Sequence, residues 1–471
     1  MNDKELILPN NKLITFNDQQ YDGINLMRQW LKTDNKFFTL AGYAGTGKTT
    51  IVKKILDESS RKIAVSAPTH KAKKVVARST SQEALTLQAI CGLRPDVDLD
   101  NFNPNSPEFG VIAIPKISNF DILAIDEASM INADLFALIK RLSEKAATQI
   151  LFMGDPAQIP PINEKESVVF NDSSILMHWL TKIERQTDGN ALCVIYDALR
   201  NNLNRSDGGF NRITDINSDG EGVIFTKSKR FFRDRLLKEF SSEEFKRDTD
   251  HVKLIAWKNE TVMYSNKMIR DSLFGANSDI VEINDLLMGY RSIGDKSRLY
   301  NIIENSADYR IVTKSDLEQS ELDIFGYYVK LRENTGFGSY TFRDVFIVDT
   351  NDVSNMHLYA EYHDFFRDMA SKNKKLWTKY YDFRRNNMIL RNITEFRNGT
   401  LRGRKDIIVK DLDYGFAITG HKSQGSTYKN VFILEDDIDE NWSIKERNQI
   451  KYVAMTRPSK SATILTSNAM D

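Results

Sequence analysis

Residues 42 to 49 read G-Y-A-G-T-G-K-T, and the spacing of Gly42, Gly47, Lys48 and Thr49 is that of a loop able to cradle phosphate. Gly42, Gly45 and Gly47 let the backbone turn tightly, so that N–H groups from Thr46 through Thr50 can wrap an anion. Lys48 can then neutralise the β and γ charges of ATP, and the Thr49 hydroxyl can ligate Mg²⁺. Further on, "ILAIDEAS" closes an apolar run with two carboxylates, Asp126 and Glu127. Asp126 stands where the Mg²⁺ of such a site takes an outer ligand. Glu127 comes near an attacking water and can take its proton as a general base. A third stretch, "LFMGDPAQIPPI", offers Gln158 at its tip, where a glutamine can sense or orient the γ-phosphate. Alone, that stretch would read as a Gly-Asp-Pro turn carrying a solvated glutamine.

These residues need a rigid platform. Short apolar runs alternate with helical patterns over the first 185 residues, the signature of βαβ units and a parallel sheet. Strands are expected at Phe37 to Ala41, Ile63 to Ala67, Ile122 to Ile125 and Ile150 to Met153. The phosphate loop would leave the first of these and enter a helix carrying Ile51, Val52, Ile55 and Leu56. Leu135, Phe136, Leu138, Ile139 and Leu142 predict an amphipathic helix after Met130. The Pro- and Asn-rich stretch from Gly92 to Asn119, with an alternating run at Val111 to Ile114, breaks this rhythm as a small hairpin or a surface loop.

Past Lys253 an α/β pattern resumes, yields to a middle region with β-like pieces at Tyr327 to Leu331 and Thr341 to Val348 and a charged, aromatic helical stretch from Asn355 to Arg385, and returns after residue 410. The expected organisation is a first core of residues 1–91 and 120–185 with an insertion at 92–119, then a second core of 186–283 and 411–471 interrupted by a β-rich domain at 284–410. The basic cluster Arg384, Arg385, Arg391, Arg397, Arg402 and Arg404 has acidic neighbours and reads as a solvated face, or as the lining of a nucleic-acid path.

The chain has 471 residues, 41% hydrophobic and 28% charged, which fits ordinary folded domains throughout. Its 65 basic and 65 acidic residues cancel, so no global field draws it to nucleic acid or membrane and any such contact must be local. Cys91 and Cys193 are its two cysteines, too few for a disulfide framework or a zinc cluster and suited to a reducing compartment. No secretory signal or long apolar span is visible, so a cytoplasmic protein is expected.

A second constellation lies far downstream: "AITGHKSQGS" at 417 to 426 and "YVAMTRP" at 452 to 458, each after or within an α/β pattern. Taken in order with "FNDQQ", the phosphate loop, "APTHKAKKV", "IDEAS", "GDPAQ" and "LTKIERQ", these segments resemble superfamily 1 helicases of the 5′-to-3′ (RecD-like) branch, above all the Dda-type helicases of phages. The matches run from Gln20 to Arg457, nearly the whole chain.

The resemblance implies an α/β fold of two RecA-like P-loop parallel-sheet cores, with a small insertion in the first and an SH3-like β-rich insertion in the second. It implies an ATP-dependent DNA helicase that moves 5′ to 3′ on single-stranded DNA and separates single-strand/duplex junctions. Gln20 corresponds to an adenine-contacting glutamine, although Asn17 stands where a threonine is usual. Thr69, His70 and Lys73 fall in the first DNA-contacting segment, and Thr419 and His421 near the DNA backbone in the second core. Gln424 and Gly425 face the nucleotide, with Thr427 where relatives often carry an acid. Arg185 and Arg457 correspond to the two arginines that reach the γ-phosphate. Trp257, beside Asn259, is a candidate base stacker or a packing residue, and Phe102 or Phe109 a candidate strand-separating wedge. Expected partners are DNA and replication or recombination proteins such as a single-strand binding protein, with the chain active as a monomer. A translocase that displaces bound proteins, a nucleotide-switched DNA-binding module and a P-loop phosphotransferase are the competing readings.

Overall fold

The computed structural model describes all residues except 1–2, 8–12, 94–113, 185–190, 298–299, 335–338, 395–406 and 471, and the side chains of residues 7, 374 and 394. Most of the 92–119 insertion, with Phe102 and Phe109, and also Arg185, Arg397, Arg402 and Arg404 therefore lie outside the described residues. The chain forms two compact units, one of residues 1–232, 255–258 and 419–471, the other of 233–254 and 259–418.

In the first unit the four expected strands form, at Phe37–Gly42, Ile63–Ala67, Ile122–Ile125 and Gln149–Gly154. With Ala84–Thr86 and Leu176–Leu180 they make a six-stranded sheet, ordered Ala84–Thr86, Ile63–Ala67, Ile122–Ile125, Gln149–Gly154, Phe37–Gly42, Leu176–Leu180, all parallel. Parallel strands covered on both faces must be apolar throughout, which is why these runs do not alternate. Their side chains nonetheless divide by parity. Phe38, Leu40, Ile122, Ala124, Leu151 and Met153 pack with Ile24, Trp30, Ile51 and Val76, from the helices Asp18–Trp30, Lys48–Glu58 and His70–Thr80. Phe37, Ala41, Leu123, Ile125, Ile150 and Phe152 pack on the other face with Leu135, Phe136, Leu138 and Ile139 of the helix Ala133–Ala146. Loops leaving the C-terminal ends of the strands therefore converge along one edge, where open α/β sheets bind ligands.

A second sheet in this unit has the parallel neighbours Tyr428–Leu434, Pro458–Leu465 and Gly222–Thr226, edged by the antiparallel Asp215–Ile216. The helix Ile444–Met455 leads into its strand Pro458–Leu465.

In the other unit an antiparallel sheet runs Glu318–Gln319, Phe325–Asn334, Asp308–Lys314, Leu286–Gly289, Leu412–Tyr414, with Tyr340–Val348 also paired to Phe325–Asn334. The sheet thus takes in residues past 410. The helices Val353–Lys372 and Trp377–Asn386 follow, with Tyr359 and Phe383 buried in an apolar cluster with Phe346 and Val348. Among the described residues no helix is long and apolar enough to cross a membrane.

Candidate functional site

The phosphate loop opens where Phe37–Gly42 ends, and Gly47 starts the helix Lys48–Glu58 at φ 82°, with Gly45 at φ 84°. An L side chain at Gly47 would be strained, and its Cβ would stand 2.6 Å from Gln20 Nε2. Gln20 is buried directly behind the loop. Its Nε2 donates to Thr46 O at 3.0 Å, and its Oε1 accepts Asn17 N–H at 3.0 Å in a capping box that starts the helix Asp18–Trp30. Both polar ends of Gln20 are thus used inside the protein, and the residue braces the loop. Asn17 accepts Gln20 N–H at 2.9 Å, the capping role a threonine would serve. Lys48 donates from Nζ to Gly42 O at 2.6 Å and Tyr43 O at 3.0 Å, folded back along the loop. Thr46 is buried; Thr49 and Thr50 are partly exposed in the first turn.

Asp126 and Glu127 leave the strand Ile122–Ile125 in a tight turn in which Glu127 N–H donates to Asp126 Oδ1 at 2.9 Å. Glu127 is held at φ 53° and ψ 43°, a left-handed conformation that costs a non-glycine residue about 1 to 2 kcal/mol. Strain of this kind persists where the surrounding structure enforces it, often at sites that do chemistry. Burial and the neighbouring Asp126 push the Glu127 carboxyl up to about 7, with Asp155 adding to the rise and Arg457 and Lys48 opposing it. A carboxylate tuned near neutrality suits a general base. Asp126 and Thr49 are oxygen donors at one edge, and among the described residues no group of three or more His, Cys, Asp or Glu could hold a metal unaided. That donor set fits Mg²⁺, which keeps most of its waters and shares phosphate oxygens instead of filling a protein cage.

Residues far apart in sequence close over this edge. Gln424 Nε2 donates to Gln158 Oε1 and to Ser129 Oγ, both at 3.1 Å, and Gln449 Nε2 donates to Gln158 O at 3.0 Å. Tyr452 OH donates to Asp155 Oδ2 at 2.5 Å and accepts the loop's Ala44 N–H at 3.2 Å. Ala44 N–H also reaches Asp155 Oδ2 at 2.9 Å. Arg457 is buried and donates to Ser426 O and Val453 O, each at 2.9 Å, while its charge acts on Glu127. Lys48, Glu127, Gln158, Gln424 and Arg457 are thereby gathered at one place.

Of the residues expected to meet DNA, Thr69 caps the helix His70–Thr80 by accepting Ala72 N–H at 3.2 Å, and Thr419 caps Gly420–Ser423 by accepting Lys422 N–H at 3.3 Å. The two segments abut at Gly425, whose added Cβ would lie 2.9 Å from Ala72 Cβ and 3.3 Å from Thr69 Oγ1. Tyr428 OH accepts from Lys71 Nζ at 3.1 Å beside this contact. His70 and Lys73 are partly exposed, and His421 is exposed. Trp257 is partly buried, its N–H donating to Asp437 Oδ2 at 2.6 Å, and Asn259 is exposed.

Two members of the basic cluster need correction, while Arg391 is exposed as expected of a solvated face. Arg384 and Arg385 are buried, and Arg384 Nη2 donates to the fully buried Asp411 at 2.8 Å, which Arg291 Nε also reaches at 2.7 Å. An interior ion pair is neither a solvated face nor a DNA lining, because its charge is matched at contact. Sequence reasoning also missed Asp155, Ser129, Gln449 and Tyr452. The available signal was position: Ser129 lies in "IDEAS", Asp155 in "GDPAQ", and Gln449 and Tyr452 just before "AMTRP".

A parallel sheet whose C-terminal edge carries a phosphate loop, closed over by polar groups from a second parallel sheet, defines a two-core P-loop nucleotide-dependent protein. Residues 15–213 match the AAA domain family, and residues 414–465 the UvrD-like helicase C-terminal domain. The chain is 26% identical over 280 residues to the ATP-dependent DNA helicase Dda of Enterobacteria phage T4, covering 57% of this chain and 60% of Dda. It is 25% identical over 474 residues to the RecBCD subunit RecD of Buchnera aphidicola, covering 92% of this chain and 71% of that one. A solved structure of two coordinating Pif1 helicases at forked double-stranded DNA shares the fold at a TM-score of 0.52, with 17% identity over 97% of this chain and 93% of that one. The chain is thus similar in sequence to Dda and RecD, and similar in fold to a Pif1 helicase.

Proposed function

We propose that this protein is an ATP-dependent DNA helicase that translocates 5′ to 3′ on single-stranded DNA, with Mg²⁺ as its cofactor and nucleotide cleavage between two cores driving the step. The observation that carries this reading is the meeting of Gln424 with Gln158 and Ser129, at 3.1 Å each, beside a carboxylate that feels both Lys48 and Arg457. A phosphotransferase needs one core and an acceptor site; it has no use for a second sheet closing on the first. The cores are assigned to residues 1–91 with 120–185 and 186–283 with 411–471, and the 284–410 region to the β-rich insertion, whose sheet also takes in Leu412–Tyr414.

In this scheme Lys48 leaves the carbonyls of Gly42 and Tyr43 for phosphate oxygens, which are better acceptors for an ammonium because they carry charge. Glu127 takes the proton of the attacking water. Gln158 reports the terminal phosphate to Gln424, and Gln20 keeps the loop in shape. Thr49 and Asp126 would hold Mg²⁺, which neutralises charge across the β and γ oxygens when bound. Arg457, with Arg185, meets the charge that develops on the transferring group; an arginine so placed is worth about 10³ to 10⁵ in rate. Hydrolysis is then fast only with the cores together, and its completion frees them to part.

Thr69, His70 and Lys73 grip the strand from one core and Thr419 and His421 from the other, so that closure at Gly425 shifts one grip against the other. Trp257 and Asn259 would serve as stacking and polar contacts to the strand. Each base-pair step opened costs on the order of 1.4 kcal/mol.

The test is ATPase with and without single-stranded DNA, and unwinding of matched forks bearing a 5′ or a 3′ single-stranded tail, beside Lys48→Ala. DNA-stimulated hydrolysis and unwinding from the 5′ tail, both lost in Lys48→Ala, are expected. Absence of stimulation would reduce the protein to a nucleotide-switched binder, and stronger unwinding from the 3′ tail would reverse the polarity.

A further inference from the structure

The helix Ala191–Asn201 carries Arg200, which neither the family motifs nor the scheme above uses. Its guanidinium carbon lies 3.9 Å from the centroid of the Tyr43 ring, a stacking contact on the second residue of the phosphate loop. The far edge of Tyr43 meets Trp179 at 6.5 Å, so the ring is held between strand and helix. The Arg200 side chain is only 9% exposed. Nη1 lies 2.9 Å from Asp197 Oδ1 but without hydrogen-bond geometry, and Nε makes no hydrogen bond.

A buried guanidinium normally recovers its lost hydration through charge-assisted hydrogen bonds. Here the protein supplies few. Asp197 is 38% exposed and only partly engaged. Asp155, the carboxylate beside the loop, already accepts Ala44 N–H, Ala157 N–H and Tyr452 OH. The Tyr43 face compensates in part, but a ring face accepts no N–H edge donated in the guanidinium plane. An incompletely matched cation has therefore been built against the rim of a loop whose backbone is shaped for phosphate. The charge of Arg200 also acts on the Tyr452 phenol, whose ring neighbours Tyr196 of the same helix at 6.5 Å, so Arg200 and the closing helix Ile444–Met455 share one locale.

We propose that Arg200 is a phosphate-contacting residue of the nucleotide site: stacked flat on Tyr43, it gives its unbonded N–H edge to the terminal phosphate of a bound nucleoside triphosphate. This rests on reading Gly42 to Thr49 as the ATP site. A diphosphate lacks that terminal phosphate, so Arg200 would distinguish the two nucleotides. Lysine cannot substitute fully, because an ammonium keeps the charge but loses both the planar stack and the fork.

The experiment compares the wild-type chain with Arg200→Gln and Arg200→Lys. It uses equilibrium binding of fluorescent ADP and of a fluorescent, non-hydrolysable ATP analogue in Mg²⁺ buffer, with a thermal melt of each variant. Arg200→Gln should weaken triphosphate binding by about 10- to 100-fold, the range for losing a charged hydrogen bond, while diphosphate affinity holds; Arg200→Lys should fall between. Unchanged triphosphate affinity overturns the proposal, and so does equal loss of both nucleotides, which would mark Arg200 as a structural prop or a base contact. If Arg200→Gln does not fold, Arg200→Lys decides alone, with loss confined to the triphosphate as support and any other pattern as refutation. A wild-type chain that binds neither nucleotide would sink the ATP-site reading itself, and this inference with it.

Discussion

Two glutamates in the same unit, Glu435 buried and Glu127 half-buried, are each drawn to an arginine and a lysine, and they end in opposite states. Glu435 is fully buried, accepts both Arg212 Nε and Nη2, at 2.9 and 2.7 Å, and accepts Lys451 Nζ at 2.7 Å. Burial pushes its carboxyl up, but the hydrogen bonds and charges of Arg212 and Lys451 overcome this and hold it down at about 2. Glu127 has the charges of Arg457 and Lys48 at hand and is still pushed up to about 7, by burial and then by Asp126. The difference lies in what the cations are bonded to. Lys48 donates to Gly42 O and Tyr43 O, and Arg457 to Ser426 O and Val453 O. A carboxylate matched at contact holds structure together, whereas one left under-matched is available to take a proton.

The strongest way to break this contrast is to remove the cation assigned to the reaction. Arg457→Ala should lower the DNA-stimulated turnover number by about 10³- to 10⁵-fold, read by steady-state ATPase on protein shown to be folded by its melt. Glu127→Gln should cost about 10²- to 10⁴-fold in turnover with little change in the melting temperature; if both fell together, Glu127 would be a structural group like Glu435. Glu435→Gln should do the reverse, lowering stability by about 3 to 5 kcal/mol because Arg212 and Lys451 lose their counter-ion, while the folded fraction keeps its turnover. Denaturant titration beside ATPase separates the two.

The acid response sharpens the comparison. The Glu435 carboxyl is lowered from 4.5 to about 2 in the fold, so the unfolded chain binds the extra proton between those values. Stability from this group is thus fully present above pH 4.5 and is lost as pH falls towards 2, by about 3 kcal/mol in all. Glu127 must be ionised to act as a base, so turnover should fall on the acid side of about pH 7, well before that loss begins. A turnover profile flat from pH 8 to pH 5 would remove Glu127 from the reaction. The smallest effect is expected at Gly425, where φ is 72° and a methyl group would press on Ala72. Gly425→Ala should cost about 1 kcal/mol and weaken single-stranded DNA binding in a fluorescence titration, since it forces apart the two segments assigned to the strand.

Much of this site was legible beforehand. The phosphate loop, the acidic turn and the strands that carry them depend on local rules: glycines where φ is positive, and continuous apolar runs for strands buried on both faces. The residues from the second core were legible through family order, and Gln424 and Arg457 did come to the first core's edge. That Gln20 also braces the loop was not, because an amide's work depends on which acceptor folds against it, here Thr46 O at 3.0 Å. Arg384 looked like a surface charge until Asp411, twenty-seven residues on, proved to be its interior partner.

The amino-acid order alone therefore determined the phosphate loop and the parallel sheet beneath it, since each follows from backbone geometry or periodicity within a few residues. Tertiary structure alone decided which carboxylate is matched at contact, that Tyr452 and Asp155 share Ala44 N–H, and that Arg200 lies against Tyr43. The physical reason is range. Steric and hydrogen-bond preferences act along the chain, while the field at a buried charge is set by whatever distant segments the fold brings within a few ångströms of it.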